Sequence, residues 1–146
     1  MGREQLKELE AHGKYLSSPK GISMRPMIIA GRDAVLIEKL KEKPKRYDLV
    51  VYTRGEAQGV IHRVIRFRES DGKYIICGDN CWSLEIVAPE QINGIVTEFC
   101  RKGKWYPVSD LRYRIYVHVW TDLLVFRRPL FYVRDRVKKR LGKATR

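Results

Sequence analysis

The chain has 146 residues, of which 44% are hydrophobic and 32% charged, so it is long enough to bury a core and its composition excludes global disorder. Its formal net charge of +13 predicts attraction to a polyanion: nucleic acid, an anionic membrane face or an acidic partner. Cys77, Cys81 and Cys100 cannot all pair within the chain, and their spacing supports a zinc site only weakly. We therefore expect reduced thiols, no metal and no other cofactor.

The N-terminal segment is polar. A short helix is predicted over residues 4–12, ending near Gly13. A secretory leader would need an apolar core at this position, so none is expected. The longest apolar stretch, residues 115–126, contains His118 and Asp122 and is shorter than the ~20 residues of a spanning helix. These features favour a cytoplasmic protein that does not cross a membrane.

Beyond Pro19 the pattern changes to short β-type segments separated by turn residues. A hairpin loop is expected over residues 55–59, and further turns over residues 70–72 and 102–104. The succession predicts a mainly β domain over residues 1–110, with a coiled or barrel-like sheet. The predicted strands cover residues 34–37, 48–52, 60–67, 74–77, 92–99 and 105–108.

The last part of the chain, residues 111–146, is strongly basic. From Arg112 onward it holds eleven basic and two acidic residues, which gives +9 of the total charge. Apolar residues at helical spacing predict two amphipathic cationic helices, with Pro129 in the first turn of the second.

Three interpretations of this tail remain open. The helices could form a solvated face packed over the sheet. They could instead bind the anionic inner face of the cytoplasmic membrane through residues 112–146, with Trp120, Phe126 and Phe131 entering the interface. Nucleic-acid binding is less supported, because no recognition motif accompanies the charge.

Three residues carry candidate chemistry. Ser23 precedes the first predicted strand of the β region, His62 lies within a strand, and Asp79 follows another. A serine hydroxyl needs a neighbouring base, histidine can serve as one near neutral pH, and a carboxylate can fix the histidine tautomer. Taken singly, each has a structural reading: Ser23 as a turn residue, His62 as a satisfied core histidine, and Asp79 as part of a turn.

Five segments resemble the successive boxes of the type I signal peptidases, a superfamily that includes the self-cleaving LexA-type repressors. The resemblance spans about residues 15–100 and implies a mostly β peptidase fold, with Ser23 as nucleophile and a base in the fourth box. The segments are Gly21-Ile22-Ser23-Met24-Arg25-Pro26-Met27, Gly31-Arg32-Asp33-Ala34-Val35-Leu36-Ile37, Tyr47-Asp48-Leu49-Val50-Val51-Tyr52, Val60-Ile61-His62-Arg63-Val64-Ile65 and Cys77-Gly78-Asp79-Asn80.

His62 stands where most bacterial members have lysine, as in the endoplasmic-reticulum and archaeal forms, so the resemblance implies a Ser–His pair assisted by an acid. Asp79 matches the Gly-Asp-Asn box, and Glu85 falls near a further acid of the eukaryotic-like members; the choice between them stays open. Gly21 replaces the hydroxyl residue that many bacterial members use as an oxyanion donor. The oxyanion hole is therefore expected from backbone N–H groups at Ser23 and Met24. The family's membrane-spanning helix before the serine has no counterpart here.

The sequence thus predicts a serine endopeptidase that cleaves an extended peptide or precursor protein, docked by β-augmentation beside the strand holding His62. Arg63 and Met24 are expected to give structural support. One alternative is a non-catalytic relative of the same fold that binds peptides or regulates transcription. Another is a basic DNA-associated protein whose β body serves for dimerisation.

Overall fold

The computed structural model describes residues 3–55 and 58–144, and the mainly β body expected from the sequence is confirmed. Within these ranges a single curled antiparallel sheet of eight strands follows one helix and precedes two more. The strand order is β1-β2-β7-β3-β4-β5-β6, and β8 pairs with β7. The elements are α1 Arg3–His12, β1 Lys14–Ser17, β2 Ala34–Glu38, β3 Leu49–Arg54, β4 Gln58–Arg68, β5 Lys73–Cys77, β6 Glu85–Val87, β7 Ile92–Arg101, β8 Lys104–Pro107, α2 Leu111–Asp122 and α3 Leu124–Ala144, with a 3-10 turn at Pro89–Gln91.

Strand β3 contributes to two apolar cores, because its alternate residues point to opposite faces of the sheet. Leu49 and Val51 pack in one cluster, whereas Val50 and Tyr52 pack in the other. All four side chains are buried, which explains why this strand is continuously apolar instead of alternating with polar residues. The strand next to it, β4, carries His62 opposite Val50.

The structure contains two strands that the sequence did not predict, β1 and β6. Strand β1 forms before Pro19, pairing Tyr15 with Ile37 of β2, and β6 pairs Glu85 with Ile76 of β5. The loop predicted over residues 55–59 is shorter in the structure, because β3 ends at Arg54 and β4 already begins at Gln58. Its residues 56 and 57 lie outside the described ranges.

Helix α2 packs into the core of the β body. The Asp110 carboxylate accepts a hydrogen bond from the Tyr113 N–H at 3.1 Å and caps the helix. Tyr113 and Val117 belong to the same apolar cluster as Met24 and Val51. No helix in the described ranges has both the length and the apolar character needed to cross a membrane.

The two C-terminal helices are separated at Leu123, so the placement of Pro129 in the first turn of the second helix was wrong. The Leu123 N–H returns to the Val119 carbonyl at 3.1 Å, and α3 begins with the next residue. Tertiary packing decides where α3 starts, because Leu124 and Arg127 are buried against the body. Pro129 lies inside α3.

Candidate active site

A groove of about 410 Å³ lies between the turn that follows β1 and the first part of β4. Its floor is apolar and includes Met24, Ile37 and Val51, while Val60 and Ile61 of β4 line it from the side. Strand β5 pairs with β4 only from Arg63 onward. Among the described strands, Val60 and Ile61 therefore have a strand neighbour, β3, on one edge only.

Ser23 lies in the turn between β1 and β2 and lines this groove, with its side chain partly exposed. The next residue, Met24, is buried in the main core, which anchors the turn. Within the turn, the Arg25 N–H donates to the Ile22 carbonyl at 3.2 Å and the Ile28 N–H donates to the Met24 carbonyl at 2.9 Å. The backbone around Ser23 is thus fixed on both sides. The oxyanion role of the Ser23 and Met24 N–H groups stays a prediction.

His62 is buried in β4, directly after the groove residue Ile61, and its two ring nitrogens face different surroundings. Nδ1 lies 3.2 Å from Glu85 Oε1 and 3.2 Å from the Tyr52 hydroxyl. Nε2 points the other way, toward Gly78: a Cβ placed there would lie 2.9 Å from Nε2 and 2.8 Å from the Ser23 carbonyl oxygen. His62 Nε2 and the Ser23 carbonyl oxygen are therefore neighbours on the same side of Gly78.

Glu85 is the carboxylate that faces the imidazole. It accepts a hydrogen bond from the Tyr52 hydroxyl at 2.7 Å through Oε2, and Oε1 accepts one from Arg54 Nη2. Tyr52 and Arg54 are alternate residues of β3, so they lie on the same face of the strand. Glu85 reaches this face because β6 pairs with β5, which in turn pairs with β4.

The site keeps Glu85 ionised. Partial burial raises the pKa of its carboxyl, but the hydrogen bonds from His62, Tyr52 and Arg54, together with the charge of His62, outweigh burial and lower the pKa to about 2. Burial also raises the pKa of the Tyr52 hydroxyl well above its usual range, so this hydroxyl remains a donor to Glu85. A carboxylate at Nδ1 favours the tautomer with a proton on Nδ1, which leaves Nε2 free to accept one.

The sequence left the acid that orients His62 open between Asp79 and Glu85, and the geometry decides against Asp79. Asp79 is buried, and its two oxygens accept hydrogen bonds from Arg63 Nε at 2.8 Å and Arg63 Nη2 at 2.7 Å. Its Oδ2 also accepts one from the Tyr116 hydroxyl at 3.1 Å. Because Arg63 and Tyr116 occupy this carboxylate, Asp79 has a structural role, and Glu85 holds the position next to the ring.

Arg63 joins three parts of the fold, in agreement with its expected role in structural support. Its side chain is only 1% exposed. Besides the two bonds to Asp79, Nη1 donates to the Tyr47 carbonyl at 2.9 Å and to the Tyr113 hydroxyl at 3.1 Å. A buried guanidinium requires partners for its donors, and these bonds connect β4 to the loop after β5 and to α2.

The loop after β5 is joined in turn to the Ser23 turn through Asn80. The Asn80 N–H donates to the Ser23 carbonyl at 2.7 Å, and its side-chain amide donates to the Ile22 carbonyl at 3.1 Å. Arg134 of α3 then donates to Asn80 Oδ1 at 2.6 Å and to the Asn80 carbonyl at 3.1 Å. A continuous set of hydrogen bonds therefore runs from α3 to the backbone of Ser23.

Two of the aromatic residues expected at a membrane interface are used within the fold instead. The Trp120 Nε1 donates to the Asp79 carbonyl at 2.9 Å, and Arg127 lies over its ring at 4.4 Å from the centroid. Phe131 is partly buried, with the guanidinium of Arg134 at 4.3 Å from its ring centroid. Phe126 is 69% exposed and remains accessible.

Sequence reasoning missed Tyr52, Arg54 and the role of Asn80. Tyr52 and Arg54 are separated by one residue at the end of a strand that pairs with the His62 strand, and this spacing could have marked them as neighbours of the imidazole. The three cysteines are free, and no cluster of His, Cys, Asp and Glu suited to a metal occurs among the described residues. Cys81 Sγ lies close to Gly78 as well, 2.8 Å from the position of a Cβ there.

Comparisons of the chain with protein-family models, with curated proteins and with solved structures found no match.

The Arg63–Asp79 pair predicts a large effect on stability. Asp79→Asn leaves the buried Arg63 without its counter-charge and should lower the free energy of unfolding by about 3–5 kcal/mol, measured by urea denaturation. The matched control is Asp71→Asn, because Asp71 accepts two hydrogen bonds from Arg68 in a similar geometry at the surface. The control should cost much less, since water screens exposed pairs. Equal losses in the two variants would contradict the structural role of Asp79.

The position of Gly78 predicts intolerance of any side chain. In Gly78→Ala the new Cβ would approach the Ser23 carbonyl and His62 Nε2 to less than 3 Å. We expect a loss of roughly 1–3 kcal/mol in the free energy of unfolding and a shift of the His62 ring resonances in NMR spectra. Ser83→Ala, at an exposed position of the same loop, should change neither by much. Unchanged His62 resonances in Gly78→Ala would refute the close approach.

The lowered pKa of Glu85 predicts a pH-dependent contribution to stability. Its ordinary value is 4.5 and its folded value is about 2, so the contribution is complete above pH 4.5 and is lost as the pH falls toward 2. The Glu85→Gln variant has no carboxylate at this position, so it has no such pH-dependent contribution to lose. The difference in unfolding free energy between wild type and Glu85→Gln should therefore be largest near neutral pH and narrow in acid, measured by denaturation across this range. Parallel pH curves for the two proteins would count against an ionised, hydrogen-bonded Glu85.

Proposed function

We propose that the chain is a serine peptidase that uses Ser23, His62 and Glu85 to hydrolyse a peptide bond in an extended peptide or precursor protein. The observation that supports this most directly is the placement of His62. Its Nδ1 faces the Glu85 carboxylate at 3.2 Å, while its Nε2 faces Gly78 beside the Ser23 backbone. The likeness of five segments to the type I signal peptidases, two of which contain Ser23 and His62, supports the proposal at the sequence level.

In the proposed reaction, Ser23 Oγ attacks the substrate carbonyl carbon while His62 Nε2 takes the hydroxyl proton. Glu85 stabilises the imidazolium that forms, and the backbone N–H groups of Ser23 and Met24 stabilise the negative oxygen. The imidazolium then gives its proton to the leaving amine, and the C–N bond breaks. A water molecule, deprotonated by the same nitrogen, then attacks the acyl carbon. The bond from that carbon to Ser23 Oγ breaks, and Nε2 gives the proton to Oγ, which restores the hydroxyl.

The groove suits a substrate in an extended conformation. An added strand could pair with β4 along Val60 and Ile61, where the described sheet leaves an edge, and this would bring its backbone to His62. The apolar floor formed by Met24, Ile37 and Val51 favours an apolar substrate side chain. The substrate class that fits is therefore a peptide segment without fixed structure that carries apolar residues.

The central experiment replaces the proposed catalytic residues one by one. Ser23→Ala and His62→Ala should each lower kcat by about 10⁴ or more, and Glu85→Gln by up to about 10⁴. Cleavage is measured on a library of unstructured peptides by mass spectrometry, and a fluorophosphonate probe should label wild type at Ser23. The matched control is Ser18→Ala, because Ser18 is an exposed serine lining the same groove.

Ser18→Ala should retain both labelling and cleavage. Cleavage by Ser23→Ala at the wild-type rate would end the peptidase proposal. Peptides that bind in the groove of a wild-type protein that neither cleaves them nor reacts with the probe would instead support the non-catalytic peptide-binding alternative.

A further inference from the structure

Helix α3 carries an apolar stripe on its outer side that the β body does not cover. We define the apolar stripe as Phe126, Leu130, Val133 and Val137, which are 69%, 68%, 57% and 49% exposed. They occupy positions i, i+4, i+7 and i+11, so they lie on one side of the helix over about 17 Å of its length. Four large apolar side chains aligned in this way expose more than the scattered single residues of an ordinary surface.

The body cannot cover the stripe because another side of α3 holds the helix in place. Leu124 and Arg127 are buried, and Arg127 Nη1 donates to the Asp79 carbonyl at 2.7 Å. Arg128 Nε donates to the Trp82 carbonyl at 2.8 Å, and Arg134 binds Asn80. With these contacts in place, the apolar stripe faces away from the sheet.

Positive charge flanks the stripe on both sides. Helix α3 contains eight basic residues and one acidic residue, Asp135, which pairs with Arg134 at 2.8 Å. At 100° per residue, the exposed Lys138 follows one flank of the stripe, and the exposed Arg136 and Arg140 follow the other. An occupant of this surface must therefore be apolar in the middle and negative on both sides.

A second copy of the helix does not meet this requirement. The stripe has the 4-3-4 spacing of a coiled-coil seam, but the next seam position is Arg140. The positions that flank such a seam include Arg134 and Arg136, so two copies would bring like charges together. The charge pattern thus excludes the occupant that the apolar spacing alone would suggest.

We propose that α3 lies in the interface of an anionic lipid bilayer, with the apolar stripe among the acyl chains and the flanking cations at the lipid phosphates. A helix that lies in the interface combines one apolar side with Lys and Arg beside it, and long cationic side chains extend toward the headgroups. Because α3 is bonded to the loop at residues 79–82, this orientation holds the candidate active site next to the membrane surface. The proposal does not depend on the site being catalytic.

The experiment is flotation of the full chain with vesicles of phosphatidylcholine alone or mixed with phosphatidylglycerol, in low and high salt. Wild type should float with the anionic vesicles and much less with the neutral ones. Leu130→Gln/Val137→Gln should weaken binding at least tenfold, and Lys138→Gln/Arg140→Gln by about fivefold for each lost cation. All four side chains are exposed, so the variants should fold, which circular dichroism checks.

Matched controls place the same changes on the β body: Leu16→Gln/Ile86→Gln for the apolar pair and Lys41→Gln/Lys43→Gln for the charged pair, all at exposed positions. These controls should bind vesicles as wild type does. The proposal fails if wild type does not float with anionic vesicles, or if the stripe variant binds as well as its control. Binding to duplex DNA without binding to vesicles would also overturn it, as would a dimer that only the stripe variant dissociates.

Discussion

The fold around the candidate site depends on one buried ion pair. Arg63 and Asp79 are almost completely removed from water, which is costly unless their donors and acceptors are satisfied. Tyr47, Tyr113 and Tyr116 supply the remaining hydrogen bonds. The arrangement of β4, the loop after β5 and α2 satisfies all of these groups together. His62 directly precedes Arg63 in β4. The ion pair therefore fixes the loop after β5 beside His62.

Three consecutive residues of that loop have three separate structural tasks. Gly78 has no side chain, so the His62 ring and the Ser23 carbonyl can both approach its Cα. Asp79 holds the loop to Arg63, and Asn80 holds the Ser23 turn to the loop. The short segment Gly-Asp-Asn thus positions both the proposed nucleophile and the proposed base, although none of its three residues takes part in the proposed proton transfers.

Six of the eight strands could be predicted because their signals, β-branched residues between turn residues, are local in the sequence. The sequence could not choose between Asp79 and Glu85, which are six positions apart. That choice depends on the curl of the sheet, since β6 must pair with β5 before Glu85 can reach Tyr52 and His62. The start of α3 was misplaced for a similar reason: Pro129 gave a local signal, but the burial of Leu124 and Arg127 decided where α3 begins.

The hydrogen bonds from α3 have a consequence for biosynthesis. Ser23, His62 and Glu85 all leave the ribosome well before Arg134, whose side chain binds Asn80 and, through it, the backbone of Ser23. While the chain is still growing, the Ser23 turn lacks the hydrogen bonds that Arg134 gives to Asn80, and this set of bonds is complete only after the C-terminal helix has emerged. The order of translation thus places the bonds between α3 and the Ser23 turn last, together with the surface that α3 carries.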